Sequence, residues 1–485
     1  MFVDVNAFIA DLERRKELAR VAAPVHPHLE IAAVIDRACK SPGGGPALLF
    51  EQPTGASMPV AANLYGSLSR ICLALGVEKL DDLGREIEEL TTPPMPKGFM
   101  DALKLMPLVN RLTDLMPKTV KDGPCQEVVK MDGGLDEIPV LTTWPEDGGP
   151  FITLPLVITK DPETGMRNIG TYRMQVFDRR TTGMHWQRHK GGAQHHRVAE
   201  RLGQRLEVAV ALGADPVLQY TATAPMPEGL DELMLAGVLS KRRVEMVKCR
   251  TVDLEVPAHA QIVLEGYVEP GERRREGPFG DHTGLYSLAD DFPVFHLQCV
   301  TMRKKPIYVA TVVGRPPMED VYLGKASERI FLPLIRKTLP EIVDMAFPPA
   351  GIFHNLVLVS IDKRYPGHAR KIMSAFWGLG QLMFSKCIIV VDKDVNVQDF
   401  DEVAWVVGTH VDPSRDIEIT KGPVDDLDDA AILPAYGGKM GIDATRKGPS
   451  EGVTREFPGR LTTTPDAAKR AGEIWAGIKK GLTGA

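Results

Sequence analysis

The chain has 485 residues, 44% of them apolar and 25% charged, with a net charge of −6, a composition that fits a folded soluble enzyme and excludes a fibrous or disordered chain. That length exceeds one compact core, and domains of ~100 to 200 residues predict two or three of them. The negative balance, interrupted only by short basic runs such as Lys241-Arg242-Arg243 and Arg273-Arg274-Arg275, gives no general attraction to phosphate backbones and argues against a nucleic-acid partner.

At the start, acids and arginines stand where a secretory signal would need an apolar core, and no apolar run is long enough to cross a bilayer. A cytoplasmic protein is expected. The N-terminal stretch reads as mixed α/β: an amphipathic opening helix, a helix over residues 27–38, then a buried strand over 47–50. Residues 91–98, Thr-Thr-Pro-Pro-Met-Pro-Lys-Gly, are rigid and turn-rich and read as a connector.

From residue 125 to 312 the dominant signal is β. Runs at 152–159, 169–177, 244–249, 261–268, 294–301 and 307–313 are rich in β-branched residues and bounded by Gly or Pro. Such spacing predicts an antiparallel barrel or sandwich rather than a doubly wound sheet. Two helices are expected within it, over 195–212 and 231–239, the first ended by Gly213. Beyond residue 321 the pattern becomes helix and parallel-type strand: helices over 323–339 and 369–383, strands over 356–361 and 387–391. A tail helix over 465–482 carries Ala468, Ala471, Ile474, Trp475 and Ile478 as one stripe, which suits packing on the chain itself or a second copy better than a membrane.

Six cysteines, Cys39, Cys72, Cys125, Cys249, Cys299 and Cys387, lack CxxC spacing, so neither a disulfide framework nor a zinc knuckle is expected. GxGxxG after a strand, GxxxxGK[ST], HExxH and GxSxG are absent, and Gly43-Gly-Gly45 runs into a strand as an ordinary loop does. What remains is a central set of oxygen, imidazole and guanidinium groups. Glu276-Gly-Pro-Phe-Gly-Asp281-His-Thr-Gly284 places two carboxylates around a turn, with Arg173 upstream. A close pair of carboxylates pushes one member toward protonation while an arginine steadies the other, which is equipment for proton transfer. Asn168, Glu232 and His189 offer oxygen with one imidazole, a set that favours Mg²⁺ or Mn²⁺ over zinc or copper.

Each residue taken singly has a plainer reading. His195 and His196 suit a helix start, Asn168 a turn, Glu232 a first-turn helix carboxylate, and Arg173 a surface strand position. Order and spacing together carry more. The runs Asn168-Ile-Gly-Thr-Tyr-Arg173, His189-Lys-Gly-Gly-Ala193, Pro225-Met-Pro-Glu-Gly-Leu-Asp-Glu232, Glu276 to Gly284, and Lys439-Met-Gly-Ile-Asp-Ala-Thr445 resemble the UbiD family of decarboxylases, which use prenylated flavin mononucleotide.

The resemblance implies an α/β multidomain fold: an N-terminal α/β domain (residues 1–115), a central split β-barrel that binds the flavin (116–315), and a C-terminal α/β domain for oligomerisation (316–485) with the terminal helix. It implies Arg173, Glu276 and Asp281 as the catalytic set, and Asn168, Glu232 and His189 as ligands of a divalent ion, usually Mn²⁺, with K⁺ as a further ion. Asn168, Thr171, Tyr172, Arg173, His185, Trp186, Gln187, Lys190, Gly191 and Glu232 are implied to grip the cofactor. Lys386 matches a family lysine near it and reads equally as a strand-end lysine.

The implied activity is reversible, non-oxidative decarboxylation of an aromatic acid of the 4-hydroxybenzoate type, with or without a 3-polyprenyl group as in ubiquinone biosynthesis. Asp281 would supply the proton that replaces CO₂. A small phenolic or polycyclic acid is the alternative, because Thr182-Gly-Met-His-Trp-Gln187 departs from the polyprenyl branch. A non-catalytic flavin-binding subunit is a reading of another class, opposed by the intact acid pair. Implied partners are the aromatic acid, a flavin prenyltransferase that supplies the cofactor, and further copies of the chain, from dimer to hexamer, with at most peripheral membrane contact. Tyr436 and Leu433, beside a Gly437-Gly438 hinge, are candidates to line and gate the substrate side.

Overall fold

The computed structural model describes residues 1–91, 116–226 and 231–483, and its three largest sheets have seven, five and four strands. The expected connector lies, past Thr91, outside the described residues, as does the middle of the 225–232 motif. The fold is mixed α/β in several domains.

Helix α1 (Val5–Arg14) buries Val5, Phe8, Ile9 and Leu12 along one side, and Asp4 caps it by accepting from the Ala7 N–H at 2.8 Å. Strand β1 (Leu18–Val21), helix α2 (Glu30–Cys39), β2 (Ala47–Phe50) and β3 (Val60–Ala62) follow, then α3 (Leu68–Leu75) and α4 (Leu80–Thr91). β1 and β2 are parallel and β2 and β3 antiparallel. The fourth strand of this sheet, Tyr308–Val309, arrives from far along the chain and pairs with β3. The last of the expected β runs, 307–313, therefore belongs to the N-terminal sheet by pairing.

The central sheet is antiparallel throughout, as expected. It comprises β4 (Val128–Lys130), β5 (Pro155–Lys160), β6 (Arg167–Gly170), β7 (Thr181–Gly183), β8 (Leu206–Leu212), β9 (Ile262–Glu276) and β10 (Asp290–Met302). Its order is β7-β10-β9-β8-β5-β6, with β4 also on β10.

The helix expected over 195–212 is corrected. Helix α5 (Gly191–Leu202) starts earlier and ends at Gly203, which adopts a left-handed φ of 66°; residues 206–212 are strand β8 at the heart of the sheet. Leu206, Val208, Val210 and Leu212 enter one core while Ala209 and Ala211 enter another. Burial on both faces makes every position from Val208 to Leu212 apolar and hides the two-residue period there. His195 and His196 lie inside α5 and are buried, not solvated caps: His195 Nδ1 meets Thr159 Oγ1 at 2.8 Å, and His196 packs on Trp186 with ring centroids 5.1 Å apart.

Helix α6 (Glu232–Ser240) is capped by Asp231. Helix α7 (Asp320–Thr338) ties the domains together, placing Leu323, Ala326 and Ile330 in the core shared with α1 and Leu332 and Ile335 in the C-terminal core. The C-terminal sheet has the order β11-β12-β13-β15-β14, from β11 (Ile342–Ala346), β12 (Leu356–Ile361), β13 (Cys387–Asp392), β14 (Ile417–Pro423) and β15 (Tyr436–Asp443). β12, β13 and β15 are parallel. Helices α8 (His368–Gly378) and α9 (Phe400–His410) cover its opposite faces. Gly437 and Gly438 are laddered to Gly422 and Lys421 inside β15, so they form no hinge, and Leu433 and Tyr436 are exposed. Helix α10 (Pro465–Thr483) leaves Ile474, Trp475 and Ile478 exposed. All six cysteines are free, and no helix among the described residues is long and apolar enough to cross a membrane.

Candidate active site

The site begins where a strand breaks. Residues 169–177, expected as one strand, split into β6 and the short strand Met174–Gln175. Between them Thr171 leaves the ladder and gives its N–H to Ala222 O at 3.0 Å. Tyr172 folds back over Gly170, where an added Cβ would sit 2.5 Å from its hydroxyl, so only glycine fits. The break turns Arg173 inward, correcting its surface reading: its side chain is 10% exposed.

The second half of the site comes from β9, which runs to Glu276. The chain then turns through Gly277, at φ 91°, whose N–H donates to Gln175 Oε1 at 2.7 Å. Strand Phe279–Gly280 pairs with Tyr286–Ser287, and the loop between them carries Asp281 and His282. The guanidinium of Arg173 lies between the two acids. Its Nε donates to Glu276 Oε1 at 3.1 Å, Nη1 to Asp281 Oδ2, and Nη2 to Ser287 Oγ at 3.1 Å. Its planar face rests on Phe279, 4.8 Å from the ring centre. His185 Nδ1 meets Glu276 Oε1 at 2.8 Å, while His282 reaches Asp281 Oδ1 through both its backbone N–H (2.7 Å) and Nδ1 (2.9 Å).

This geometry overturns one expectation. Neither carboxyl is pushed toward protonation. Burial alone would raise Glu276, but His185 and Arg173 more than offset it and hold it below the usual range. Burial likewise opposes the charge of Asp281, and His282 with Arg173 holds it well below. The acids sit on different edges of one cation, so the like-charge contact that raises a pKa is replaced by attraction to the guanidinium.

The Asn168 half behaves differently. Glu232 Oε2 accepts from the Ile169 N–H at 3.1 Å, which sets it beside Asn168, and Asn168 Nδ2 donates to the Tyr172 hydroxyl at 3.2 Å. Burial pushes the Glu232 carboxyl up to about 7. An added Cβ at Gly191 would strike the Asn168 amide oxygen, and one at Gly192 the Trp186 indole nitrogen. Thr171 Oγ1 and Trp186 Nε1 are buried without a partner among the described residues. The α5 N-terminus lies here with Lys190 as its cap residue, and burial lowers the Lys190 ammonium.

A buried carboxylate kept from its charge, an amide oxygen, orphaned donors and a helix N-terminus fit a divalent cation beside a phosphate. His189 is exposed, with its ring 5.5 Å from that of Phe384, and no three His, Cys, Asp or Glu side chains cluster as a metal site among the described residues.

Of the remaining expected cofactor contacts, His185 is engaged by Glu276, Lys190 by Gln381 at 2.9 Å and Lys386 by Asp428 at 2.8 Å, and the Gln187 carbonyl accepts from the Lys190 N–H at 3.1 Å. The sequence reading missed His282 and Ser287. Adjacency to Asp281 was a usable signal for the histidine; only hairpin pairing reveals the serine.

Three domain profiles match the chain: the 3-octaprenyl-4-hydroxybenzoate carboxy-lyase N-terminal domain of UbiD over residues 9–89, its Rift-related domain over 118–316 and its C-terminal domain over 321–444. An uncharacterized protein of Aquifex aeolicus is 52% identical over 97% of this chain and 98% of its own length. Among solved structures, the vanillic acid decarboxylase of Sedimentibacter hydroxybenzoicus in closed form is 29% identical, covers 99% of both chains and superposes with a TM-score of 0.86. An evolved dimeric form of the UbiD-class enzyme HmfF from Pelotomaculum thermopropionicum, in complex with prenylated FMN, is 29% identical over 96% of this chain and 98% of that one, with a TM-score of 0.79.

Proposed function

Because the chain belongs to the UbiD family of carboxy-lyases, we propose that it decarboxylates an aromatic acid of the 4-hydroxybenzoate type, reversibly and without net oxidation, with Arg173, Glu276 and Asp281 as its catalytic residues and prenylated FMN as its cofactor. The observation that carries this reading is the single guanidinium shared by two buried carboxylates, within one strand break of the Asn168 and Glu232 pair.

Bound prenylated FMN supplies an electron sink for the ring carbon as CO₂ departs. Asn168 and Glu232 would hold the divalent ion, Mn²⁺ in this reading, and Lys190 with the α5 N-terminus would hold the flavin phosphate. Thr171 and Trp186 offer their unpaired donors to the cofactor. Arg173 orients the substrate carboxylate, and Glu276, fixed by His185, keeps the guanidinium in place. Asp281 delivers a proton to the carbon that loses CO₂; in the reverse direction it removes one.

Within this class the likeness to a vanillic acid decarboxylase favours a small phenolic acid over a polyprenylated one. Oligomerisation through the C-terminal domain, with the exposed face of α10 as part of the contact, belongs to the same proposal.

The test is co-expression with a flavin prenyltransferase, followed by an absorbance spectrum and CO₂ release from a panel of phenolic, polyprenylated and polycyclic acids. A modified-flavin spectrum with turnover of a small phenolic acid is expected. A loaded enzyme that releases CO₂ from none of them overturns the reading.

A further inference from the structure

A proton donor needs a proton source after each transfer, and Asp281 accepts hydrogen bonds from Arg173 on Oδ2 and from His282 on Oδ1. Both donor groups on its Oδ1 come from His282, whose side chain is 15% exposed. That imidazole stacks on Phe353, centroids 5.6 Å apart, and lies 5.5 Å from the ring of His354. Phe353 packs on Gly324, whose added Cβ would come 3.6 Å from the ring. Asp320 stands one helical turn before Gly324 on α7, hence on the same face. Its Oδ1 is buried with no hydrogen-bond partner among the described residues. From the C-terminal domain Asp425 approaches, its Oδ2 3.4 Å from His354 Nε2. His282 thus meets Asp281 on its own loop and the rings of Phe353 and His354, with Asp425 against His354, Asp320 on the α7 face that packs on Phe353, and Arg173 beyond Asp281.

We propose that His282 relays protons to Asp281 through Nδ1, and that Asp320 is the positioning residue that holds the imidazole in its charged, proton-bearing form. The inference rests on the decarboxylase reading. In each turnover the C–C bond to the carboxylate breaks, and the carbon takes a proton from the Asp281 carboxyl. His282 Nδ1 returns a proton to Asp281 Oδ1, and water reloads the ring; the sum is a carboxylate plus one proton giving arene plus CO₂.

The charges agree with this assignment. Burial pulls the imidazole down, but the hydrogen bond and charge of Asp281, with Asp320 and Asp425, hold it above its usual range. Burial pushes Asp320 up to about 7, and His282 draws it back. The protonated ring is the competent form, so turnover falls as pH rises through its pKa, and losing Asp320's charge moves that fall to lower pH.

The experiment uses full-length holoenzyme. Histidine C2 hydrogen exchange read by mass spectrometry reports the titration of His282 itself, independent of activity. In Asp320→Asn it is expected to drop by about one pH unit or more, with the alkaline limb of kcat moving the same way. His282→Asn keeps an amide donor but no transferable proton; a kcat loss of about 10²-fold is expected, with KM and flavin absorbance unchanged. An unmoved His282 titration in Asp320→Asn, an unmoved alkaline limb, or His282→Asn within about twofold of wild type overturns the relay. Wild type inactive on every acid instead overturns the functional reading, and the exchange measurement still decides the role of Asp320. If His282→Asn fails to fold or load flavin, the Asp320→Asn titration decides alone.

Discussion

The Arg173 cluster and the Asn168 and Glu232 pair grow from one interrupted strand, yet they treat their acids in opposite ways. Around Arg173 every carboxyl finds a cation or imidazole within the chain, and Glu276 and Asp281 both stay ionised despite burial. Around Asn168 the compensation is weaker: the Ile169 N–H and Arg167 favour the Glu232 charge but do not offset burial. Glu232 is driven toward its neutral form, and neighbouring donors stand unpaired. The first region pairs each acid with a cation or imidazole, although Glu276 Oε2 is left without a partner among the described residues, whereas the second holds a buried carboxyl near neutrality beside unpaired donors.

The sharpest way to break this contrast is Asp281→Asn, which keeps the shape of the first region and leaves the second untouched. Turnover should fall by about 10²- to 10⁴-fold in a steady-state decarboxylation assay. Flavin absorbance should match wild type; activity equal to wild type refutes the role of Asp281.

A smaller effect, confined to the second region, is expected from pH. The folded-state pKa of Glu232, about 7, lies above its usual value of 4.5. Its contribution to stability is therefore fully present below the unfolded pKa and lost as pH rises through 7. The cofactor-free protein should lose up to about 3 kcal/mol between pH 4.5 and 8 from this group. Glu232→Gln should flatten that slope in chemical denaturation while weakening Mn²⁺ binding in calorimetry. A slope unchanged by the substitution removes the claim that this carboxyl waits for a cation.

The mildest test trims one contact from the first region. Ser287→Ala removes an acceptor from Arg173 Nη2 and should cost about 0.5 to 1.5 kcal/mol in kcat/KM, a several-fold change with flavin loading intact.

Much of this contrast was legible in the residues. The turn from Glu276 to Gly284 announced two acids held near each other, and Arg173 was named as their partner. The direction of their titration was not legible, because it depends on the guanidinium lying between the acids. The strand break at Thr171 was hidden too, since a buried strand and an inward-turning irregular segment share the same apolar, β-branched wording. Strand β8 was mistaken for helix for a related reason: with both faces buried, Val208 to Leu212 carries no alternation to read.

By itself the sequence determined the α/β multidomain class, the family, the absence of CxxC pairs and the short motifs whose members are chain neighbours, because these rest on local order and composition. Tertiary structure alone decided which charges meet. Asp320 and His282 lie 38 positions apart, and only the packing of α7 on Phe353, on which His282 stacks, brings their fields together; Coulomb energy depends on distance in space, which chain order does not encode.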